Sequence, residues 1–192
     1  MNATLLPQLL AALARAVANE QRQAAVGAGL LPVQLTILSY LRDANRYSNT
    51  QQGLTEYLGL TKGTVSQSLK VLEERSLITR CADEADRRIV RLTLTAAGRE
   101  RLGQAMDDAW AEACQALGAN QQQGAATALS RLLGAWQQAR HGKTFGVCHS
   151  CRHFRPGQPT HQCGLTGEAL SDDDSQHICR EHSLPPAGPS QR

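Results

Sequence analysis

The chain has 192 residues, of which 41% are hydrophobic and only 4% aromatic, with a formal net charge of +3. That is enough apolar material for one helical domain and a smaller appendage, and the mild basicity permits nucleic-acid binding without requiring it. No apolar run approaches the ~20 residues needed to span a bilayer, and the N-terminus M-N-A-T-L-L-P-Q lacks the charged region and cleavage site of a secretory signal, so a cytoplasmic protein without a membrane partner is expected.

From Thr4 to about Val26, Leu6, Leu9, Leu10, Leu13 and Val17 form one apolar stripe at helical spacing. Gly27 and Gly29 interrupt it. Pro32 suits a first helical position, and Val33, Ile37, Leu38, Leu41 and Ala44 stripe a second helix. Arg46 to Gly53 is a polar run read as a loop. A short third helix is expected over Thr55 to Leu58, ended by Gly59, where a left-handed turn is easily made.

The next stretch, Thr61 to Arg75, organises the chain. Val65, Ser68, Leu69 and Leu72 fall on one helical face, and Lys62, Gly63, Ser66, Gln67, Lys70 and Glu74 on the other. Thr61 supplies an N-cap oxygen. Two short helices joined by a tight glycine turn make a helix-turn-helix. A rod of about 20 Å with hydrogen-bonding groups on its outer face fits a DNA major groove. The period then changes to two: Leu77 to Arg80 and Val90 to Leu94 read as strands of a hairpin. Its charged tip carries Arg87 and Arg88, which is the arrangement of a wing. A surface hairpin with merely solvated charge is the alternative.

Leu102, Met106, Ala109, Trp110, Ala113 and Leu117 stripe one further helix, and Ala125, Leu129, Leu132, Leu133 and Trp136 another. With the N-terminal helix, three amphipathic stripes exceed what one small wing domain can cover, which implies a twofold homodimer. The fold class expected is mainly α (α+β): a winged helix-turn-helix with long dimerisation helices and a small C-terminal metal-stapled module. The boundaries are 1–142 for the DNA-binding and dimerisation domain, 143–182 for the cysteine-rich module, and 183–192 for a Pro-rich disordered end.

At L-T-E-Y-L-G-L-T-K-G-T-V-S-Q-S-L-K-V-L-E-E-R-S-L-I-T-R and D-E-A-D-R-R-I-V-R-L-T-L-T-A-A-G the chain resembles the MarR family of winged-helix transcriptional regulators, over roughly residues 1 to 140. The resemblance implies a homodimer held by its N- and C-terminal helices, recognition helices in successive major grooves of a pseudo-palindromic double-stranded operator, and wing arginines at the flanking minor groove. It implies a repressor sooner than an activator. Onto this chain it carries Thr64, Ser66, Gln67 and Lys70 as groove-facing residues and Asp86 with Arg87 as the wing-tip pair; Lys62 and Arg88 complete the DNA-binding set. Thr64, near the helix boundary, has a phosphate or its own backbone as alternative partners. Such families place glycine where this chain has Ser76, so the entry into the first wing strand is expected to differ. From Lys62 to Arg91 seven Lys/Arg oppose five Asp/Glu, a net of +2, so affinity should be moderate and strongly salt-dependent. A small-molecule effector would find its default place in the cleft between the dimer helices and the reading head.

All six histidines lie at or beyond His141, and four of the six cysteines lie between Cys148 and Cys179. Cys148, Cys151, Cys163 and Cys179 follow a C-x2-C-x11-C-x15-C spacing. Phe145, Val147, Phe154, Leu165, Leu170 and Ile178 are too few to stabilise about 40 residues unaided. Disulfides do not suit the cytosol. Four thiolates make a full tetrahedral set for zinc and equally hold an iron–sulfur cluster. The histidines 149, 153, 161, 177 and 182, as substitute ligands, favour zinc first and a cluster second. The metal is either structural or a sensor whose loss loosens a tail attached to the dimerisation helix; the latter makes the protein a redox-responsive switch. A zinc-ribbon-like adaptor surface is a further alternative. Cys81 and Cys114 read as small apolar residues, with a redox pair as the second reading. An enzyme is not expected. There is no H-E-x-x-H, Walker A or G-x-S-x-G motif, the deaminase signature is missing before Cys148, and four cysteines close a zinc shell against substrate.

Overall fold

The computed structural model describes residues 5–84, 86–105, 109–139 and 144–185. Helix α1 (Leu5–Gly27) is followed by α2 (Pro32–Asp43), α3 (Gln51–Leu58) and α4 (Lys62–Glu74). Strands β1 (Ile78–Ala82) and β2 (Val90–Leu94) form an antiparallel hairpin with Ile78 opposite Leu94 and Ala82 opposite Val90. Helices α5 (Ala96–Ala105), α6 (Ala109–Gln115) and α7 (Ala119–Ala139) complete the first part. The stripe expected from Leu102 to Leu117 is divided between α5 and α6, with Leu117 in the turn beyond α6 and Met106 outside the described residues. Among the described residues no single helix is long and apolar enough to cross a membrane.

The core forms where the faces of α2, α4 and the hairpin meet. Ile37, Leu38, Val65, Leu69, Leu72 and Leu92 are all essentially fully buried. Each such side chain contributes about 1.5–3 kcal/mol through removal from water. Helix α4 buries the four residues its period predicts: Val65, Ser68, Leu69 and Leu72.

Helix α3 starts four residues earlier than expected, at Gln51 in place of Thr55. Thr50 caps it by accepting a bond from the Gly53 N–H at 3.0 Å. Gly53 is the reason the polar run can be helical here. A Cβ on it would lie 2.3 Å from the Ser48 carbonyl oxygen and 2.9 Å from the Tyr40 hydroxyl, so only glycine lets the turn pack this closely. Gly59 closes α3 at φ 63°, as its position predicts.

At Ser76 the expected change in geometry is not found. The residue adopts the left-handed conformation itself, at φ 55°, and the Leu77 N–H reaches back to the Leu72 carbonyl at 2.9 Å. The helix therefore ends as it would with glycine, at the cost of Cβ strain. Ser76→Gly should raise stability by about 0.5–1 kcal/mol, the balance of relieved strain and added chain entropy. The midpoint of urea unfolding reads this directly, and an unchanged or lower midpoint would contradict it.

The C-terminal part is built from very short elements: β3 (Gly146–Val147), a 3-10 turn over Cys148–Ser150, β4 (Phe154–Arg155), β5 (His161–Cys163), β6 (Ala169–Leu170), α8 (Asp172–Gln176) and β7 (Ile178–Cys179). Strand β3 pairs with β7, and β4, β5 and β6 form a three-stranded antiparallel sheet. Its small core is Cys148, Cys179 and Leu170, with Phe154 and Cys163 against them.

This part is not the separate module the composition suggested. Ala44 bridges Ile178 in parallel, the Asn45 N–H donates to the Ile178 carbonyl at 2.9 Å, and Ile178 packs on the main core. The tail therefore seats on the loop between α2 and α3. Leu184 also packs on α7, against Gly134.

Candidate functional site

Two places collect the side chains that carry chemistry. The first is the outer face of α4 with the wing. Lys62, Thr64, Ser66, Gln67 and Lys70 are all exposed, as are Arg87 and Arg88. The Thr61 hydroxyl accepts the Thr64 N–H at 3.2 Å, fixing the start of the helix. The Thr64 hydroxyl shares a 2.9 Å bond with that of Thr61. Thr64 is thus tied to the cap residue through both its N–H and its hydroxyl.

The charges near this face divide into two groups. Arg80 is held by Glu73 at 2.8 Å, Arg91 by Asp83 at 2.7 Å, and Arg75 donates to the Gly29 carbonyl at 2.8 Å. Lys70 has Glu74 at 3.8 Å one turn on, a weak exposed pair. Among the described residues Lys62, Arg87 and Arg88 make no ion pair, so the positive charge available to a polyanion concentrates at the start of α4 and the wing tip. Two short-range hydrogen bonds shape the described part of the tip. Asp83 accepts the Asp86 N–H and Asp86 accepts the Arg88 N–H, each at 3.0 Å. Asp86 therefore pairs with the backbone of Arg88, and the Arg87 side chain is left to solvent.

The second place is in the tail. Cys148, Cys151, Cys163 and Cys179 all line one cavity of about 30 Å³, with Phe154, Leu165 and Leu170 among its other walls. Cys148 and Cys179 are the two buried thiols of the set, and each perturbs the other's titration. The neighbouring Cys148 thiol, more than Asn45, holds the Cys179 thiol below its ordinary value. The same neighbour, with burial, pushes the Cys148 thiol up. Asn45 Nδ2 lies 3.5 Å from the Cys148 sulfur, and the Ser183 N–H lies 3.4 Å from that of Cys151. Among the described residues, no three of His, Cys, Asp or Glu are arranged to hold one metal ion. The four thiols converge on a common space without closing around a point.

The histidines do not join them as ligands would. His161 bonds Asp172 at 2.8 Å, His177 the Asp173 carbonyl at 2.8 Å, and His149 the Ser175 carbonyl at 3.3 Å. His182, buried and shifted down by desolvation, bonds Ser150 at 3.0 Å and Thr144 at 3.3 Å. Only His153 borders the cavity, and His141 lies outside the described residues. Cys81 and Cys114 are both exposed in the single chain.

The loop from Ala44 to Thr50 connects the two places, and sequence reasoning passed over it. Ser48, fully buried, donates to Asn45 Oδ1 at 2.7 Å and accepts the Arg180 N–H at 2.8 Å. The Arg180 guanidinium reaches Glu56 on α3 at 3.0 Å. Arg46 and Tyr47 both engage Glu168. Tyr57 on α3 stacks edge-on against Phe145, with ring centroids 5.3 Å apart. On its other side the loop meets the wing, where the Leu92 N–H donates to the Asn49 carbonyl at 2.8 Å. Its partners in the tail lie more than a hundred residues away, and its own letters read only as a polar turn.

These elements define a winged helix-turn-helix protein. A family model described as "MarR family" matches residues 28–89, and no curated protein matches the chain. Among solved structures, a MarR transcriptional regulator from Methanosarcina mazei superposes with a TM-score of 0.55 at 20% identity, covering 71% of this chain and 99% of that one. A MepR point mutant from a multidrug-resistant S. aureus clinical isolate gives 0.54 at 21% identity, over 71% and 99%. Wild-type apo MarR from E. coli gives 0.51 at 19% identity, over 67% and 96%. The fold is that of the MarR-type winged-helix regulators.

Proposed function

We propose that this chain is a sequence-specific transcriptional regulator, acting as a homodimeric repressor on a pseudo-palindromic double-stranded DNA site. The observation that carries this reading is the exposed face of α4, with Ser66, Gln67 and Lys70, standing beside a wing whose Arg87 and Arg88 are free of ion pairs among the described residues. Gln67 has the donor and acceptor needed to read an adenine edge, and Lys70 can donate to guanine. Lys62, Arg87 and Arg88 supply phosphate contacts, which position the protein without reading sequence. The exposed leucines of α1 and α7 supply the dimer surface.

The four cysteines are read as a metal site within the same regulator, for zinc or for an iron–sulfur cluster. It is either structural or sensory, and a small molecule or a redox change is the expected effector. The adaptor reading has less support, because the surface of the tail nearest the core is already used in seating it on the α2–α3 loop.

Selection from a random double-stranded DNA library tests the main reading, with enrichment of an inverted repeat expected. On the selected duplex, Arg87→Ala should weaken binding to matched and mismatched sequences alike and lower the salt slope by about one. Gln67→Ala should reduce discrimination at one position per half-site by about 1–3 kcal/mol. Retention of full affinity by Arg87→Ala would remove the wing from the interface.

A further inference from the structure

Among the described residues of α7, Gly134 alone is buried in the single chain. Leu184 of the tail covers it: a Cβ on Gly134 would lie 2.3 Å from Leu184 Cδ1. The large apolar residues of α7, Leu129, Leu132, Leu133 and Trp136, stay exposed. The buried contact between this long helix and its own chain is therefore made by the end of the tail. That end is tied back into the tail itself. The Thr144 hydroxyl donates to the His182 carbonyl at 2.6 Å, the Arg152 N–H to the Ser183 carbonyl at 2.8 Å, and the Ser150 hydroxyl lies 3.0 Å from His182 Nε2.

The same tail grips α3 at its other side. The Arg180 guanidinium meets Glu56 at 3.0 Å, between side chains only 15% and 22% exposed. Such a pair is better shielded from solvent than the exposed Lys70–Glu74 pair on α4. Phe145 takes the Tyr57 ring edge-on, and Tyr57 in turn packs against Tyr40 of α2, with centroids 4.7 Å apart. Helix α3 passes the contact on: Gln51 Nε2 donates to the Lys62 carbonyl at the start of α4, at 3.4 Å. An unbroken series of contacts thus runs from α7 through Leu184 and Arg180 to α3 and the recognition helix.

In a homodimer the distance between the two recognition helices depends on how each reading head sits on its own dimer helices, and that distance fixes the half-site spacing. We propose that the tail is a brace between α7 and α3 that sets this spacing, with Leu184, Arg180 and Phe145 as positioning residues for DNA recognition. They read no base; they hold α3, and through it α4, at one angle to α7. A connected network of packed and bonded side chains is the physical means by which one end constrains the other. The inference rests on reading the chain as a homodimeric regulator, and one arm of its test needs no DNA.

Leu184→Asp in the full-length chain sets a charge against Gly134 and leaves Arg180 and Phe145 in place. Without DNA, hydrogen exchange should quicken around Gly134 and also at Glu56 and Tyr57 on α3, because freeing one end of the brace loosens the other. Quickening confined to α7 and residues 182–184 would overturn the proposal. With DNA, the selected inverted repeat is compared with one whose half-sites stand one base pair further apart, a shift of about 3.4 Å and a turn of about 34°. Wild-type affinity should fall about tenfold or more on the longer duplex, as part of the avidity is lost. In Leu184→Asp that penalty should shrink to about threefold or less, while binding to a single half-site stays unchanged. A penalty as large as the wild type's, or dissociation of the variant into monomers in sedimentation, would overturn the brace. Leu184→Ala should move both readouts the same way, and Leu184→Met should restore them. If the wild type enriches no inverted repeat, the regulator reading fails, and the exchange pattern alone decides whether the tail couples α7 to α3.

Discussion

Replacing Leu9 and Leu133 together by glutamate should leave a folded chain that sediments as a monomer and no longer holds its DNA site. In the single chain Leu9 is 51% and Leu133 51% exposed. Neither supports the core, so helical circular dichroism should persist. Around them the apolar faces continue. Leu5, Leu6 and Leu13 on α1, and Leu129, Leu132 and Trp136 on α7, are all large and exposed. A run of this extent on two long helices is far from the scattered apolar exposure of an ordinary monomer surface, and a twofold contact is the commonest way to cover it. Each leucine so covered is worth about 1.5–3 kcal/mol, and an unpaired carboxylate at the same place reverses the sign. DNA affinity should fall by about 10²-fold or more, because a monomer binds one half-site without the avidity of its twin. Sedimentation velocity with the selected duplex provides both readings. A double variant that remains dimeric would move the interface elsewhere.

Periodicity made the reading head legible. Helix α4 buries Val65, Ser68, Leu69 and Leu72 because 3.6 residues per turn leaves no other face apolar, and Thr61 caps it as its hydroxyl allows. In the hairpin Leu92 and Leu94 turn to the core as their alternation predicts, while Val90 at the outer end is exposed. The start of α3 was hidden by Gly53, which resembles a loop residue until the backbone of Ser48 is seen pressed against it. Ser76 misled in the other direction: a rule about glycine predicted a change of geometry, and the surrounding bonds hold the serine in the left-handed turn anyway. In the tail, spacing identified the four cysteines. It could not show that the neighbouring histidines are spent on Asp172, Asp173, Ser175 and Ser150. Nor could it show that the tail rests on Asn45 and Ser48, because contacts between polar residues so far apart in sequence leave no periodic trace.

Asn45 is the residue on which that docking turns, and Asn45→Ala should cost about 2–4 kcal/mol, the sum of the buried groups it would leave unpaired. The side chain is 7% exposed. Its Oδ1 accepts the Tyr47 N–H at 3.1 Å and the Ser48 hydroxyl at 2.7 Å, while its Nδ2 faces the Cys148 sulfur. Alanine removes all three at once, and water has little access to replace them. The Ser48 hydroxyl, freed from Asn45, also loses its alignment toward the Arg180 N–H, so the loss should spread from the loop into the tail. Hydrogen exchange should therefore speed up at Arg180 in the tail and at Leu92 in the wing, whose N–H donates to the same loop. Amides in the middle of α4 should keep their protection relative to global unfolding. Urea unfolding gives the stability and the exchange pattern its location. A loss below about 0.5 kcal/mol, the level of an ordinary surface change, would show that the tail is seated by Ile178 and Tyr57 packing alone. Faster exchange confined to the tail would show that the loop does not pass the disturbance to the wing.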